Sequence, residues 1–274
     1  MKQTIIALFL YGFFLSFSSA QDKIVIRGSD TLGAKLVPVL AEAYKEAGNE
    51  VSFEITAEGS SSAFTSLLAG TADIGMSSRY VKDAEAESFA TSGKEIRDWN
   101  AGYDLIGVIV NDESEIADLS REQIEGIFAG DITDWSEVGG VPGPISVYTR
   151  NTSSGTYKSF QEMALSMREY GAETQKMAGN EQIANEVAKN ANGIGYVGID
   201  YTDRDGIKAV AVDGIELKPE NAADYPLARR LHYYTVEGEL SEAAAKFLSW
   251  ATSDPDAGNL IVRVGFIPPP PPPE

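Results

Sequence analysis

Three times in this chain a run of strand-forming residues gives way to a turn rich in glycine and hydroxyl groups, and then to residues at helical spacing. The turns are Gly28-Ser29-Asp30-Thr31, Gly59-Ser60-Ser61-Ser62 and Ser153-Ser154-Gly155-Thr156. Lys23 to Arg27, Val51 to Ile55 and Ile145 to Tyr148 precede them. After them, apolar residues recur every three or four positions: Leu36, Val39, Leu40, Ala43 and Tyr44, then Phe64, Leu67 and Leu68, then Tyr157, Phe160, Met163 and Ala164. A strand repeats every two residues and a helix every 3.6, so a change of period across a turn marks a strand-to-helix junction. Strands alternating with helices predict an α/β fold with largely parallel sheets.

Other segments fit the same plan. Asp73 to Met76 reads as a short strand ending at Ser77-Ser78-Arg79, and the unbroken apolar run Leu105 to Val110 as a buried strand. Ser120 and Gln123 form a capping box for a helix through Ile124, Ile127 and Phe128 that ends near Gly130. Further on, Gln182 to Lys189 predicts a helix, Gly193 to Ile199 and Leu231 to Val236 predict strands, and Ser241 to Ala251 predicts an alanine-rich helix. The turn Ser253-Asp254-Pro255 then opens a last short helix into Val264-Gly265-Phe266. Residues 268 to 273 are six prolines, expected to extend as an exposed polyproline II terminus.

At 274 residues with 43% hydrophobic side chains, the chain can bury the core of one or two domains. Residues 1–20 carry Lys2, an apolar run from Ile5 to Phe17 and the small-residue end Ser18-Ser19-Ala20, which predicts a secretory signal peptide cleaved after Ala20. The apolar run is short for a spanning helix. There is no cysteine, hence neither a disulfide nor a lipid-attachment site, and export to the periplasm as a soluble, non-lipidated protein is expected. Losing the leader, whose only charge is Lys2, takes the formal net charge from −19 to −20. Such a chain repels nucleic acid and anionic lipid at long range, and no nucleic-acid partner is expected.

Composition also limits the chemistry. The one histidine, His232, stands in an aromatic strand context beside Tyr233 and Tyr234 and reads as structural. Without cysteine or a second histidine, zinc sites and cysteine–histidine catalysis are excluded, and neither a G-x-S-x-G elbow nor a calcium loop is present. The three junction turns remain. The first turn of a helix presents unpaired N–H groups and a partial positive charge, hydroxyls add donors, and glycine allows close approach, so each turn can cap its helix or hold an oxyanion. Arg79 and Arg150 sit at strand ends in the same setting, where ligands of open α/β sheets bind.

The chain resembles phosphate-binding proteins of the PstS type, extracytoplasmic receptors of ABC importers. The resemblance spans essentially the whole mature chain. It is carried by Asp30-Thr31-Leu32, Gly59-Ser60-Ser61, Thr71 to Arg79 (TADIGMSSR), Ile124 to Trp135 (IEGIFAGDITDW), Arg150 to Thr156, Gly193 to Val197 and Gly265-Phe266-Ile267-Pro268. It implies a two-lobed periplasmic-binding-protein-like (type II) fold with two crossover strands, expected near Leu105 to Val110 and Arg229 to Val236. Lobe 1 would be residues 22–106 plus 231–267, and lobe 2 residues 107–230. It implies inorganic phosphate as ligand, a membrane permease as partner, a monomer, no cofactor or metal, and no enzymatic activity.

The resemblance also implies a site in which Thr31 supplies a hydroxyl, Leu32 a backbone N–H and Ser60 the second helix start, with Arg150 as the charged clamp and Ser154, Gly155 and Thr156 as hydroxyl or N–H donors. Two positions depart from the family pattern. Ser78, followed by Arg79, stands where better-known members place an acceptor aspartate, and Thr152 stands where they place an aspartate two residues after the clamp arginine. Ser78 and Arg79 are therefore candidate site residues, with Asp30 the alternative acceptor. A receptor for another tetrahedral oxyanion such as sulfate or molybdate, a secreted serine hydrolase using Ser154 or Ser60, and a structural or adhesive surface protein remain alternatives.

Overall fold

The computed structural model describes residues 22–270; the expected signal peptide lies outside them, and the proline run is described only as far as Pro270. Strand β1 (Asp22–Gly28) buries Ile24 and Ile26 completely, while Val25 and Arg27 point to its half-covered face. Thr31 leads into a π-helical turn (Leu32–Leu36) that continues as α1 (Val37–Glu46). Next come β2 (Val51–Thr56), α2 (Ser60–Leu68), β3 (Ile74–Ser77) and α3 (Asp83–Thr91). The sequence does not announce α3, because Phe89 is its only buried side chain and no apolar stripe runs along it.

The chain then crosses over in β4 (Ile96–Asn111). Beyond it lie β5 (Asp118–Leu119), α4 (Arg121–Ala129), β6 (Ser146–Arg150), α5 (Gly155–Ala164), β7 (Gln175–Met177), α6 (Asn180–Lys189), β8 (Gly193–Gly198), β9 (Ile207–Ala209) and β10 (Ala211–Val212). The return crossing is β11 (Ala228–Val236), followed by α7 (Glu242–Ser253) and α8 (Pro255–Val264). No helix among the described residues is long and apolar enough to cross a membrane.

The strands order as β2-β1-β3-β11-β4-β8-β6-β7, with β9 also on β4. Of the hydrophobic clusters that sit on this curled sheet, two are large. One packs Ile24, Leu40, Met76, Phe247 and Phe266 together, and the other Val108, Ile124, Phe128, Phe160 and Tyr196. The fold is α/β and two-lobed.

The expectation of largely parallel sheets needs correcting. β1 is parallel to β2 and β3, and β6 to β7 and β8, but β11 runs antiparallel to β3 and β4, and β4 antiparallel to β8 and β9. One strand leaves the first lobe and the other returns to it, so the two crossing strands point in opposite directions. β4 is also longer than its apolar run suggests. Its polar first half, including Arg97, Asp98 and Asn100, is held by pairing with β11, and only residues 106–111 meet β8 and β9.

At the crossing, the β4/β11 register slips between Leu231 and His232, and Gly102 adopts φ +117°. The neighbouring Tyr103 exchanges backbone hydrogen bonds with Ile267 at 2.7 and 3.0 Å, which ties the C-terminal segment onto the crossover strand. A Cβ at position 102 would stand 2.6 Å from the Ile267 carbonyl oxygen, in a backbone conformation that favours glycine. Gly102→Ala is therefore expected to destabilise the fold by roughly 1–3 kcal/mol. Urea unfolding would show this as a lower midpoint at unchanged slope, and an unshifted midpoint would refute it.

Candidate anion-binding site

The three junction turns, expected at strand ends, meet between the lobes. Thr31, from the turn after β1, has its Oγ1 3.1 Å from Oγ1 of Thr156 in the first turn of α5. Ser60, first residue of α2, lies with Oγ 3.3 Å from Ser78 Oγ, and Ser78 N–H donates to Ser60 Oγ at 3.0 Å. Both serine hydroxyls press on the start of α5, where a Cβ on Gly155 would fall 2.2 Å from Ser60 Oγ and 2.5 Å from Ser78 Oγ. Glycine is needed there because two chain segments approach within the space of one methyl group. Ser154 caps α5 by accepting from Tyr157 N–H at 3.3 Å, which leaves its own proton available. The first-turn N–H groups of Leu32, Gly155 and Thr156 belong to helix starts, where intrahelical partners are lacking.

Arg150 ends β6 with its side chain 1% exposed. Tyr196, stacked on Phe160 at 4.1 Å, accepts the Arg150 backbone N–H at its hydroxyl (3.1 Å) and so fixes where the side chain starts. Nη2 donates to Ala178 O at 2.9 Å, and Nη1 lies 3.2 Å from Asp30 Oδ2. Nε and Nη1 have no hydrogen-bond acceptor among the described residues. Burial pushes the Arg150 guanidinium down from its ordinary value, against the opposing pull of Asp30, yet an arginine stays charged under any ordinary condition. Asp30 Oδ2 also accepts from Asn180 N–H (3.1 Å) and Nδ2 (3.0 Å), which bridges the lobes.

Arg79 does not join this group. Its two terminal nitrogens form a fork on Glu85 at 2.7 and 2.8 Å and also reach Tyr80 O and Ser61 Oγ, while the guanidinium rests over the Phe64 ring at 5.0 Å. The loop after β3 brings the acid of α3 to the arginine, and the ion pair takes its charge. Arg79, a candidate ligand cation on sequence, thus has its guanidinium engaged by Glu85 in this structure.

Arg229, at the start of β11, is not among the residues the sequence points to. Its side chain is 4% exposed, donates from Nε and Nη2 to Asp104 Oδ2 at 3.0 and 2.6 Å, and reaches Ser78 O, Thr31 Oγ1 and Thr156 Oγ1. The available signal was an acid, Asp104, just before one expected crossover strand and a base at the start of the other.

The site thus gathers hydroxyls, helix starts and buried guanidinium groups from both sides of one cleft. The family model described as PBP superfamily domain matches residues 16–255. The phosphate-binding protein PstS of Pseudomonas aeruginosa is 32% identical over 265 residues, covering 88% of this chain and 81% of that protein. The chain belongs to the PstS-type family. Solved structures agree. One from Clostridium perfringens, described as a phosphate ABC transporter substrate-binding protein with bound phosphate, is 31% identical with a TM-score of 0.83, covering 90% of this chain and 99% of that one. An ABC-type phosphate transport receptor from Vibrio cholerae is 29% identical with a TM-score of 0.74, covering 90% and 100%.

In this PstS-type chain, further bonds hold the lobes against each other. Ser61 N–H donates to Ser153 O at 3.2 Å, Ser159 Oγ donates to Ser78 O at 3.0 Å, and Lys35 Nζ donates to Asp200 O at 2.6 Å while resting 3.6 Å over the Tyr201 ring. The Asp200 side chain is fully buried, with Lys35 Nζ 3.5 Å from Oδ2. Burial, reinforced by the charge of Asp104 and opposed by Lys35, pushes its carboxyl up to about 8. Unfolded, the same group ionises near about 4. Between these values the folded chain holds the extra proton, so this contribution to stability is complete below about pH 4 and is lost as pH rises through about 8. Melting temperatures from about pH 5 to 9 should fall less steeply for Asp200→Asn than for the parent, and equal slopes would refute this.

Proposed function

We propose that this protein is an extracytoplasmic receptor that captures inorganic phosphate between its two lobes and delivers it to the permease of an ABC importer. The observation that carries this reading is the Arg150 guanidinium: buried, charged, with no acceptor on Nε and only the Asp30 ion pair on Nη1, beside a cluster of hydroxyls and helix starts. Leaving such donors unpaired is costly, and a small tetrahedral oxyanion matches them in charge and in number of acceptors. The names of the relatives in Pseudomonas aeruginosa and Clostridium perfringens support phosphate as that anion.

In this mechanism, residues 22–106 with 231–267 and residues 107–230 are the lobes, and β4 and β11 are the hinge between them. Lobe 1 offers the Thr31, Ser60 and Ser78 hydroxyls and the Leu32 N–H. Lobe 2 offers Arg150, the Ser154 and Thr156 hydroxyls and the N–H groups of Gly155 and Thr156. The anion bridges the two sets and shifts the population towards the closed state. Export by the leader at residues 1–20 places a soluble, non-lipidated monomer outside the cytoplasmic membrane. No covalent step is involved. His232, the base a serine nucleophile would need, is buried with Nδ1 2.9 Å from Asp98 Oδ1 and is stacked on Tyr234, while Ser60 and Ser154 bond to Ser78 and Tyr157.

Calorimetry with phosphate and sulfate tests the ligand. Phosphate should bind, and Arg150→Met should weaken it at least about 100-fold, as expected for two charge-assisted hydrogen bonds. Sulfate binding without phosphate heat would overturn the choice of ligand. Closure has its own test in Gly155→Ala. The added methyl would force the Ser60 and Ser78 hydroxyls to rotate away or hold the lobes apart, so phosphate affinity should fall while the circular dichroism spectrum is kept. Parent-like affinity would show that the lobes do not close on the ligand in this way.

A further inference from the structure

We propose that Arg229 is a positioning residue of the anion site, acting from the hinge through the hydroxyls of Thr31 and Thr156; this rests on the phosphate-receptor reading above. Arg229 and Asp104 are direct register partners on the two crossover strands, so their ion pair travels with the hinge rather than with either lobe. Asp104 takes Nε and one Nη2 contact. The remaining donors face outward: Nη1 reaches Ser78 O at 3.2 Å, and the one N–H left on Nη2 is shared between Thr31 Oγ1 at 3.3 Å in the first lobe and Thr156 Oγ1 at 3.0 Å in the second.

This geometry dictates hydroxyl orientation. A guanidinium donates and never accepts, so neither threonine proton can point at Arg229. With the two oxygens 3.1 Å apart, one hydroxyl proton lies between them and the other is free for an anion. The arrangement needs Thr31 and Thr156 on the same nitrogen, which requires the lobes to be closed. Arg229 also adds, behind burial, to the downward push on the Arg150 guanidinium, so each of the two buried cations lies in the other's field. A hinge pair kept for stability alone would need only Asp104, and apolar residues of similar volume often serve as well there.

Two variants separate positioning from folding. Arg229→Lys keeps a positive charge for Asp104 but places it at a single point that cannot span Asp104, Ser78 and both threonines. The pair variant Arg229→Met with Asp104→Leu removes both charges and leaves neither unpaired. Calorimetry with inorganic phosphate should show each weakening binding about ten- to a hundredfold, the effect of losing charge-directed hydrogen bonds. Most of that loss should vanish when Arg229→Lys is introduced into Thr31→Val or Thr156→Val, because Arg229 acts through those hydroxyls. Parent-like affinity in Arg229→Lys or in the folded pair variant, or full additivity with the threonine substitutions, overturns the inference. If the parent takes sulfate and not phosphate, the choice of ligand fails alone, and the same cycle run with sulfate still decides Arg229. If it binds neither, both fall.

Discussion

A guanidinium cannot shed its charge inside a protein, so burying one obliges the surroundings to neutralise it. Among the described residues Arg79, Arg150 and Arg229 are buried, and the last two lie within reach of each other's field. Each has one carboxylate: Asp30 meets Arg150 from the opposite lobe, and Asp104 meets Arg229 from the neighbouring crossover strand. What they leave unpaired faces hydroxyls and helix starts, and that surplus of donors gives the cleft its appetite for an anion. The chain as a whole carries a formal charge of −19, so its long-range field repels any anion. Attraction must come from groups close enough to act without screening, and the buried donors meet that condition.

The antiparallel crossing of β4 and β11 is what allows those donors to be split between two bodies. A large hydrophobic cluster packs on each side of the crossing, which the chain makes along β4 and β11. Hinges of this kind absorb rotation in a few backbone torsions while both cores stay packed. The Phe160–Tyr196 stack and the Tyr196 hydroxyl then hold the root of Arg150 rigidly within its lobe. Asp30, Ser61, Lys35 and Ser78 meet Arg150, Ser153, Asp200 and Ser159 through polar contacts.

The strand-to-helix junctions were legible because a change of hydrophobic period is local, and Thr31, Ser60, Ser154, Gly155 and Thr156 could be read from it. Their convergence was not local, and it came from resemblance to a family. Arg79 shows the limit. Its glutamate is six residues on, too far for a helical neighbour, and only the loop between β3 and α3 brings the two together. Arg229 escaped notice because Arg229-Arg230 looks like a solvated pair, whereas strand alternation turns the first inward to Asp104 and the second to Asp98 at the surface. The largely parallel sheet was misjudged for a related reason: strand direction at a crossing is a property of the whole path, and no residue in β4 or β11 encodes it.

Asp30 and Asp104, the carboxylates that touch the donor cluster, are spent on arginines, and this bears on how an anion is chosen. A free carboxylate aimed at the ligand accepts the proton that phosphate carries and repels an anion that has none. In this chain Asp30 is occupied by Arg150 and Asn180, Asp104 by Arg229 and the Ile199 N–H, and Ser78 stands in the acceptor position. A hydroxyl both donates and accepts, so it accommodates a protonated oxygen without penalising a bare one. Ser78 is not passive, however. Its N–H is committed to Ser60 Oγ, so the Ser60 proton is displaced towards Ser78 Oγ or the ligand, and that orients the pair. Discrimination in such a site rests on the fixed direction of its donors and on the space left by Gly155, so the geometry of the closed cleft takes over the work that a carboxylate would otherwise do.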